Sequence, residues 1–134
     1  MSATDRLRSE LAFHDRQASE RAAAFAVEPG RLRFDDDAYL DHETWIRPAL
    51  DRLGNLRGLR VLDYGCGHGM AAVVLARRGA LVTGFDLSPG YLEEAGARAA
   101  TNGVQVCLTQ ADGERLPFAD GAFDRVWEIG RAHV

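Results

Sequence analysis

The sequence predicts an α/β fold, a parallel sheet with helices packed on its faces and with further helices ahead of it. Three observations carry this reading. Near residue 57 the hydrophobic pattern changes from steps of three and four to short apolar runs. Those runs alternate with helical stretches in the order strand, helix, strand, helix, strand, which is the signature of a parallel sheet. The first run then ends in an acid and a turn with every second position glycine, VLDYGCGHGMA, as happens where such a sheet meets a ligand.

Over residues 5–25, Leu7, Leu11, His14, Ala18, Ala22 and Phe25 fall on one helical face. Glu28-Pro29-Gly30 breaks that helix. Asp35, Asp36 and Asp37 follow, and three adjacent acids fit a helix N-terminus better than a metal site, because they oppose its positive end. A helical region over 37–53 is expected, with Pro48 kinking it or starting a new helix. Gly54 and Asn55 close it.

The first strand is predicted over 59–64 and the next helix over 70–78, with Ala71, Val74 and Leu75 facing inward and Gly79 as its stop. The second strand covers 81–85. Ser88 is an N-cap and Pro89 suits the first helical position, so a helix runs from there to Asn102-Gly103. A third strand is predicted over 104–108, a loop over 110–121 and a fourth strand over 122–127. Strands this uniformly apolar fit a sheet covered on both faces, with right-handed crossovers.

Composition narrows the function classes. The net charge of −4 comes with no basic stripe, which argues against a nucleic-acid partner. All 16 basic residues are arginine, so chemistry that needs a lysine amine is excluded. No apolar run is long enough to span a membrane, and the charged N-terminus does not read as a secretion signal; the expected location is the cytoplasm. Cys66 and Cys107 stand far apart, in neither a metal-binding nor a disulfide pattern, and no metal is expected. Cys107, in the apolar run VQVCL, is expected in the core. Cys66 reads as a small side chain tolerated among glycines. Trp45 and Tyr39 are expected to pack against the sheet, and His42 to be exposed.

The glycine turn lets backbone approach a ligand, and the free amides of the helix after it favour an anionic group. Asp86 ends the second strand, 21 positions after Gly65, where an acid takes both ribose hydroxyls of an adenosine. Glycines at 65, 67 and 69 followed by Met70 depart from the dinucleotide spacing G-x-G-x-x-G.

At this point VLDYGCGHG, GFDLSPGYLEEA and QADGERLPF followed by ADGAFDRVW resemble, in order and spacing, three motifs of the class I S-adenosylmethionine-dependent methyltransferases, nearest to the group related to quinone-biosynthesis methyltransferases. The resemblance covers residues 59–127. It implies a Rossmann-like sheet of the class I methyltransferase fold, of which only the first half, strands 1–4 in the order 3-2-1-4, is found here; the fourth strand would then expose an apolar, aggregation-prone edge. It also implies S-adenosylmethionine as cofactor and methyl transfer to a small-molecule acceptor. Gly65, Cys66 and Gly67 would contact the methionine part through backbone. Asp63 would hold the turn or reach the amino group, Asp86 would bind the ribose, and Leu87 would lie against the adenine. Asp112 would accept the adenine amino group and the Gly113 amide would face a ring nitrogen.

The N-terminal segment, 1–56, is expected to cap the cofactor site, and 57–127 to form the partial cofactor domain. His14, His42 or Tyr39 could approach the methyl group, and no catalytic residue is assigned. The competing reading is a module that binds an adenosine cofactor, or another nucleotide, without catalysis. Residues 128–134, EIGRAHV, spell the translation of a common sequencing adapter and are expected to be foreign to the native chain, which would continue past Trp127.

Overall fold

The computed structural model describes residues 2–27 and 29–128, so the adapter-like stretch, apart from Glu128, lies outside the described residues. In chain order the elements are α1 (Ala3–Val27), a 3-10 turn (Pro29–Leu32), α2 (Asp36–Leu40), α3 (Ile46–Asp51), β1 (Arg60–Asp63), α4 (Met70–Arg77), β2 (Leu81–Asp86), α5 (Pro89–Thr101), β3 (Cys107–Gln110) and β4 (Arg125–Trp127). The four strands are parallel and ordered β3-β2-β1-β4, as the family resemblance implied. Among the described residues no helix is long and apolar enough to cross a membrane.

Pairing places Leu62, Thr83, Cys107 and Val126 on one face of the sheet, and Val61, Val82, Asp63 and Trp127 on the other. The second face carries the core. Val61, Val82 and Trp127 pack there with Val74 and Leu75 of α4 and with Leu40, Ile46, Leu50 and Leu56 from the N-terminal helices and the chain after them. α4 is wedged between the sheet, α2 and α5. Its buried set is therefore Ala72, Val73, Val74 and Leu75 rather than the single edge of Ala71, Val74 and Leu75.

The expectation of a sheet covered on both faces is not met among the described residues. On the Leu62 face, rings of the 111–124 loop lie against the sheet, Phe118 lying 6.3 Å from Phe85 and 5.1 Å from Phe123. Leu81 and Val126 are 62% and 49% exposed on that face. Cys107 shares it on the edge strand, and so it is exposed rather than in the core.

Three local expectations also change. The predicted helix over 37–53 divides at residues 41–45, not at Pro48; Pro48 is the third residue of α3, where a backbone amide has no intrahelical acceptor to lose. The third strand begins at Cys107 instead of residue 104, because the Val104 amide is spent on the Ala99 carbonyl, 3.0 Å away, in ending α5. Trp45 precedes the first turn of α3 and is 46% exposed, so it does not pack on the sheet. The Ser88 cap is as predicted: its hydroxyl accepts from the Tyr91 amide, and Pro89 opens α5.

Candidate cofactor site

The site is built at the carboxyl ends of β1 and β2. After Asp63 the chain turns through Gly65 (φ 66), Gly67 (φ 54) and Gly69 (φ 92), a left-handed backbone that side chains rarely tolerate. Gly69 also meets α5 closely: a Cβ there would lie 2.7 Å from the Ala95 Cβ. A Cβ on Gly67 would meet nothing within 4 Å, so that glycine faces open space.

Asp86 holds two loops together. One carboxylate oxygen accepts from the Gly67 amide at 2.9 Å and the other from the Ser88 amide at 3.0 Å. The Cys66 amide donates to the Phe85 carbonyl at 2.7 Å, which fixes the turn against β2. Between turn and strand end lies a cavity of about 440 Å³, lined by Asp63, Gly65, Cys66, Gly67, Asp86 and Leu87, and closed by residues of the N-terminal helices and Trp127. A smaller space of about 50 Å³ adjoins it through Gly65, Asp86 and Leu87, and is lined by Asp112 and Gly113. All eight residues read from the sequence as cofactor contacts therefore border one of these two connected spaces. A larger open groove of about 690 Å³ runs along Leu81, Thr83, Ala99 and Phe123, and includes none of them.

Asp63 is 3% exposed and its Oδ2 has no hydrogen-bond partner among the described residues. Burial, and then the charge of Asp86, push its carboxyl up to about 7. Burial also raises the Cys66 thiol, helped by the charges of Asp63 and Asp86, which rules against a thiolate nucleophile. Asp112 keeps one oxygen on the Glu114 amide at 3.1 Å, while the Tyr64 hydroxyl donates to the Gly113 carbonyl at 2.7 Å.

Of the residues expected near the methyl group, Tyr39 and His14 border the cavity and His42 does not, whereas sequence reasoning missed Glu10, Tyr91 and Trp127. Tyr39 lines the cavity, and its hydroxyl accepts from Trp127 Nε1 at 3.1 Å, a pairing between residues 88 positions apart. Burial pushes the Tyr39 hydroxyl up to about 12. His14 also lines the cavity, as do Glu10 and Tyr91, whereas His42 is exposed. A buried ion network stands behind the turn: Arg98 donates to the His68 carbonyl and, at 2.7 Å, to Glu94, which also accepts from Arg21 of α1 at 2.9 Å. Against the burial that raises it, these two guanidinium groups hold Glu94 below the usual carboxylate range. α1 is fastened further by the Ser88 hydroxyl donating to Asp15 at 2.7 Å and by the Tyr91 hydroxyl donating to Gln17. The three acids Asp35, Asp36 and Asp37 do not converge; Asp36 pairs with Arg77 at 2.9 Å and Asp37 with Arg47 at 2.8 Å.

Comparison with known proteins agrees with this geometry. Residues 61–134, more than half the chain, match a family model described as a methyltransferase domain. The methyltransferase GfsG of Streptomyces halstedii is 44% identical over 82 residues, covering 59% of this chain and 30% of that protein. The ubiquinone biosynthesis O-methyltransferase of Azorhizobium caulinodans is 38% identical over 109 residues, covering 78% of this chain and 40% of its own length. Among solved structures, an S-adenosylmethionine-dependent methyltransferase from Mesorhizobium loti superposes with a TM-score of 0.59 at 31% identity, over 66% of this chain and 41% of that one. The chain thus spans well under half the length of the curated relatives it matches here.

Proposed function

The chain belongs to the methyltransferase-domain family, of the class I S-adenosylmethionine-dependent kind, and we propose that it binds S-adenosylmethionine in the cavity at Asp63 and Asp86 and serves methyl transfer to a small-molecule acceptor. The observation that carries the reading is the Asp63 carboxylate: buried, without a partner on one oxygen, and next to a glycine turn open to the cavity. An unpaired buried acid is costly, and a ligand ammonium is the group that relieves it.

The other residues fit the rest of the cofactor. Gly65, Cys66 and Gly67 bring backbone to its amino-acid part. Asp86 has acceptor capacity left beyond its two amide bonds and serves the ribose hydroxyls. Leu87 offers an apolar face, and Asp112 and Gly113 serve the adenine in the adjoining space. The bound cofactor supplies a methyl group already activated by its sulfonium. The work of this chain is to hold it, exclude water and present the acceptor in line. Residues 1–56 act as the cap, because His14 and Tyr39 close the same cavity.

Calorimetric titration with S-adenosylhomocysteine and, separately, NAD tests the reading. The expected result is binding of the first and not the second. Asp86→Ala should weaken that binding by about 2–3 kcal/mol, the value of hydrogen bonds to a charged group. Unchanged affinity in a folded Asp86→Ala protein would refute the site.

A further inference from the structure

The ion network of Arg21, Glu94 and Arg98 ends on His68, whose ring borders the cavity from the far side of the glycine turn. We propose that His68 is a cofactor-binding residue: Arg98 fixes its ring with the proton on Nε2, and this N–H donates to the carboxylate of the cofactor's amino-acid end. The inference rests on the S-adenosylmethionine reading above and assigns a further contact in the same site.

The tautomer follows from the partners of the ring. Arg98 Nη1 donates to Glu94 at 2.7 Å and to the His68 carbonyl, and it lies 3.3 Å from His68 Nδ1. A guanidinium carries donors only and does not deprotonate in proteins. A proton on Nδ1 would therefore set N–H against N–H. The Glu94 oxygen nearest to Nδ1 is 3.7 Å away, beyond hydrogen-bond reach. Nδ1 is thus the acceptor, and the ring proton sits on Nε2. The backbone is held by the same guanidinium, itself 3% exposed, because the His68 carbonyl is on Arg98 while the next amide, of Gly69, donates to the Cys66 carbonyl at 3.1 Å.

Nε2 is the end of the ring left for a ligand. It makes no hydrogen bond among the described residues and, unlike His14 Nδ1, is not shut off from solvent; the side chain is 34% exposed. Other donors around the cavity are spent within the fold: Trp127 Nε1 on Tyr39, the Tyr91 hydroxyl on Gln17 and the Gly67 amide on Asp86.

The charges select the carboxylate. It is the cofactor's anionic group, and it shares one carbon with the ammonium placed at Asp63, so it falls beside the same turn. Glu10, Asp63 and Asp86 repel it from the other walls. The chain has no lysine, and no arginine is among the described residues that line this cavity, so neutral donors must meet the anion. Behind His68, Arg21 and Arg98 each act on the ring more strongly than Glu94 does, which makes the field there positive. Burial, and then these two guanidinium groups, push the imidazole down to about 4, so it is a neutral donor at neutral pH.

Two ligands that differ in one group test this: S-adenosylhomocysteine, and its decarboxylated analogue, which keeps the adenosine, the thioether and the amine. In calorimetric titration of the full chain, wild type should prefer S-adenosylhomocysteine by at least tenfold, the size of a hydrogen bond to a charged group. His68→Ala should lower that preference at least tenfold while leaving affinity for the analogue within twofold. In wild-type protein, where no variant has to fold, ring-nitrogen resonances between pH 6 and pH 8 should show His68 neutral with its proton on Nε2, and that N–H should shift with S-adenosylhomocysteine and not with the analogue. Equal affinity of wild type for both ligands, a preference unchanged in His68→Ala, equal weakening of both ligands by it, or a His68 proton on Nδ1 would each overturn the assignment. If wild type binds neither ligand, the cofactor reading beneath it fails instead.

Discussion

Replacing Asp63 by Asn separates the cost of this residue from its use. An acid whose folded pKa is raised binds its proton more tightly in the native state. Its contribution is therefore best at low pH and is lost as pH climbs from the unfolded value, about 4, to the folded value. For Asp63 the folded value is about 7, so the loss is complete above neutrality. Asn has nearly the same shape and never ionises. The stability difference between Asp63→Asn and wild type should accordingly move in favour of the variant between pH 5 and pH 8. Two pH units of unequal protonation, at about 1.4 kcal/mol each, give about 3 kcal/mol. The buried amide left by Asn adds a cost of its own, but one that does not change with pH and so drops out of the comparison. Urea unfolding of both proteins at the two pH values, without ligand, measures it. A difference that stays constant between pH 5 and pH 8 would refute the placement of a dry, unpaired carboxylate at the end of β1.

Other expectations follow from the same contacts. Below pH 7, S-adenosylhomocysteine should bind about tenfold more weakly for each unit of acidification, because its ammonium needs ionised Asp63; calorimetry at pH 6 in buffers of different ionisation enthalpy should show close to one proton released. Arg98→Met should destabilise the fold by about 3 kcal/mol in urea, the low end for breaking a buried ion pair, because Arg21 remains on Glu94. Gly69→Ala should cost roughly 2–4 kcal/mol in the same assay, since φ 92 and the Ala95 backbone leave no room for a Cβ.

What the sequence made legible was whatever local chemistry determines. Ser88 and Pro89 start α5 because cap and first-turn preferences concern neighbouring residues only. The strand order followed from the family resemblance that the motifs carry, and the border of glycines and acids from their spacing. The misreadings arose where a distant element decides the outcome. Cys107 lies in an apolar run yet is exposed, because the face it shares with Leu81 and Val126 carries no helix among the described residues. Pro48, expected to kink the helix or to start a new one, stands in the first turn of the new helix α3, where its missing amide costs nothing, but the break itself falls earlier, at 41–45. Glu94 and Arg98, four residues apart on α5, drew no expectation from the sequence; the passage of α1 over α5 and the close approach of the glycine turn bury them. Tyr39 and Trp127 could not be joined from local pattern at all.

The two strand-end acids are satisfied unequally within the fold. Asp86 satisfies two amides from two loops, so its charge stabilises the fold as it stands and a ligand adds to bonds already made. Asp63 does the opposite: its Oδ2 is buried without a partner, so its charge is a liability until a cation arrives. The repulsion between them raises Asp63 further, and binding a positive group lowers both terms together. Backbone order is thus supplied by one carboxylate, and in the proposed reading binding energy is reserved in the other. That separation is possible because β1 and β2 are adjacent and in register, with Asp63 opposite Gly84, two residues before Asp86. A glycine at 84 is also what lets Cys66 pack over β2, its Cβ lying 3.0 Å from where a side chain would begin. The turn can therefore fold down onto the strand and bring its amides to Asp86, leaving Asp63 facing the cavity.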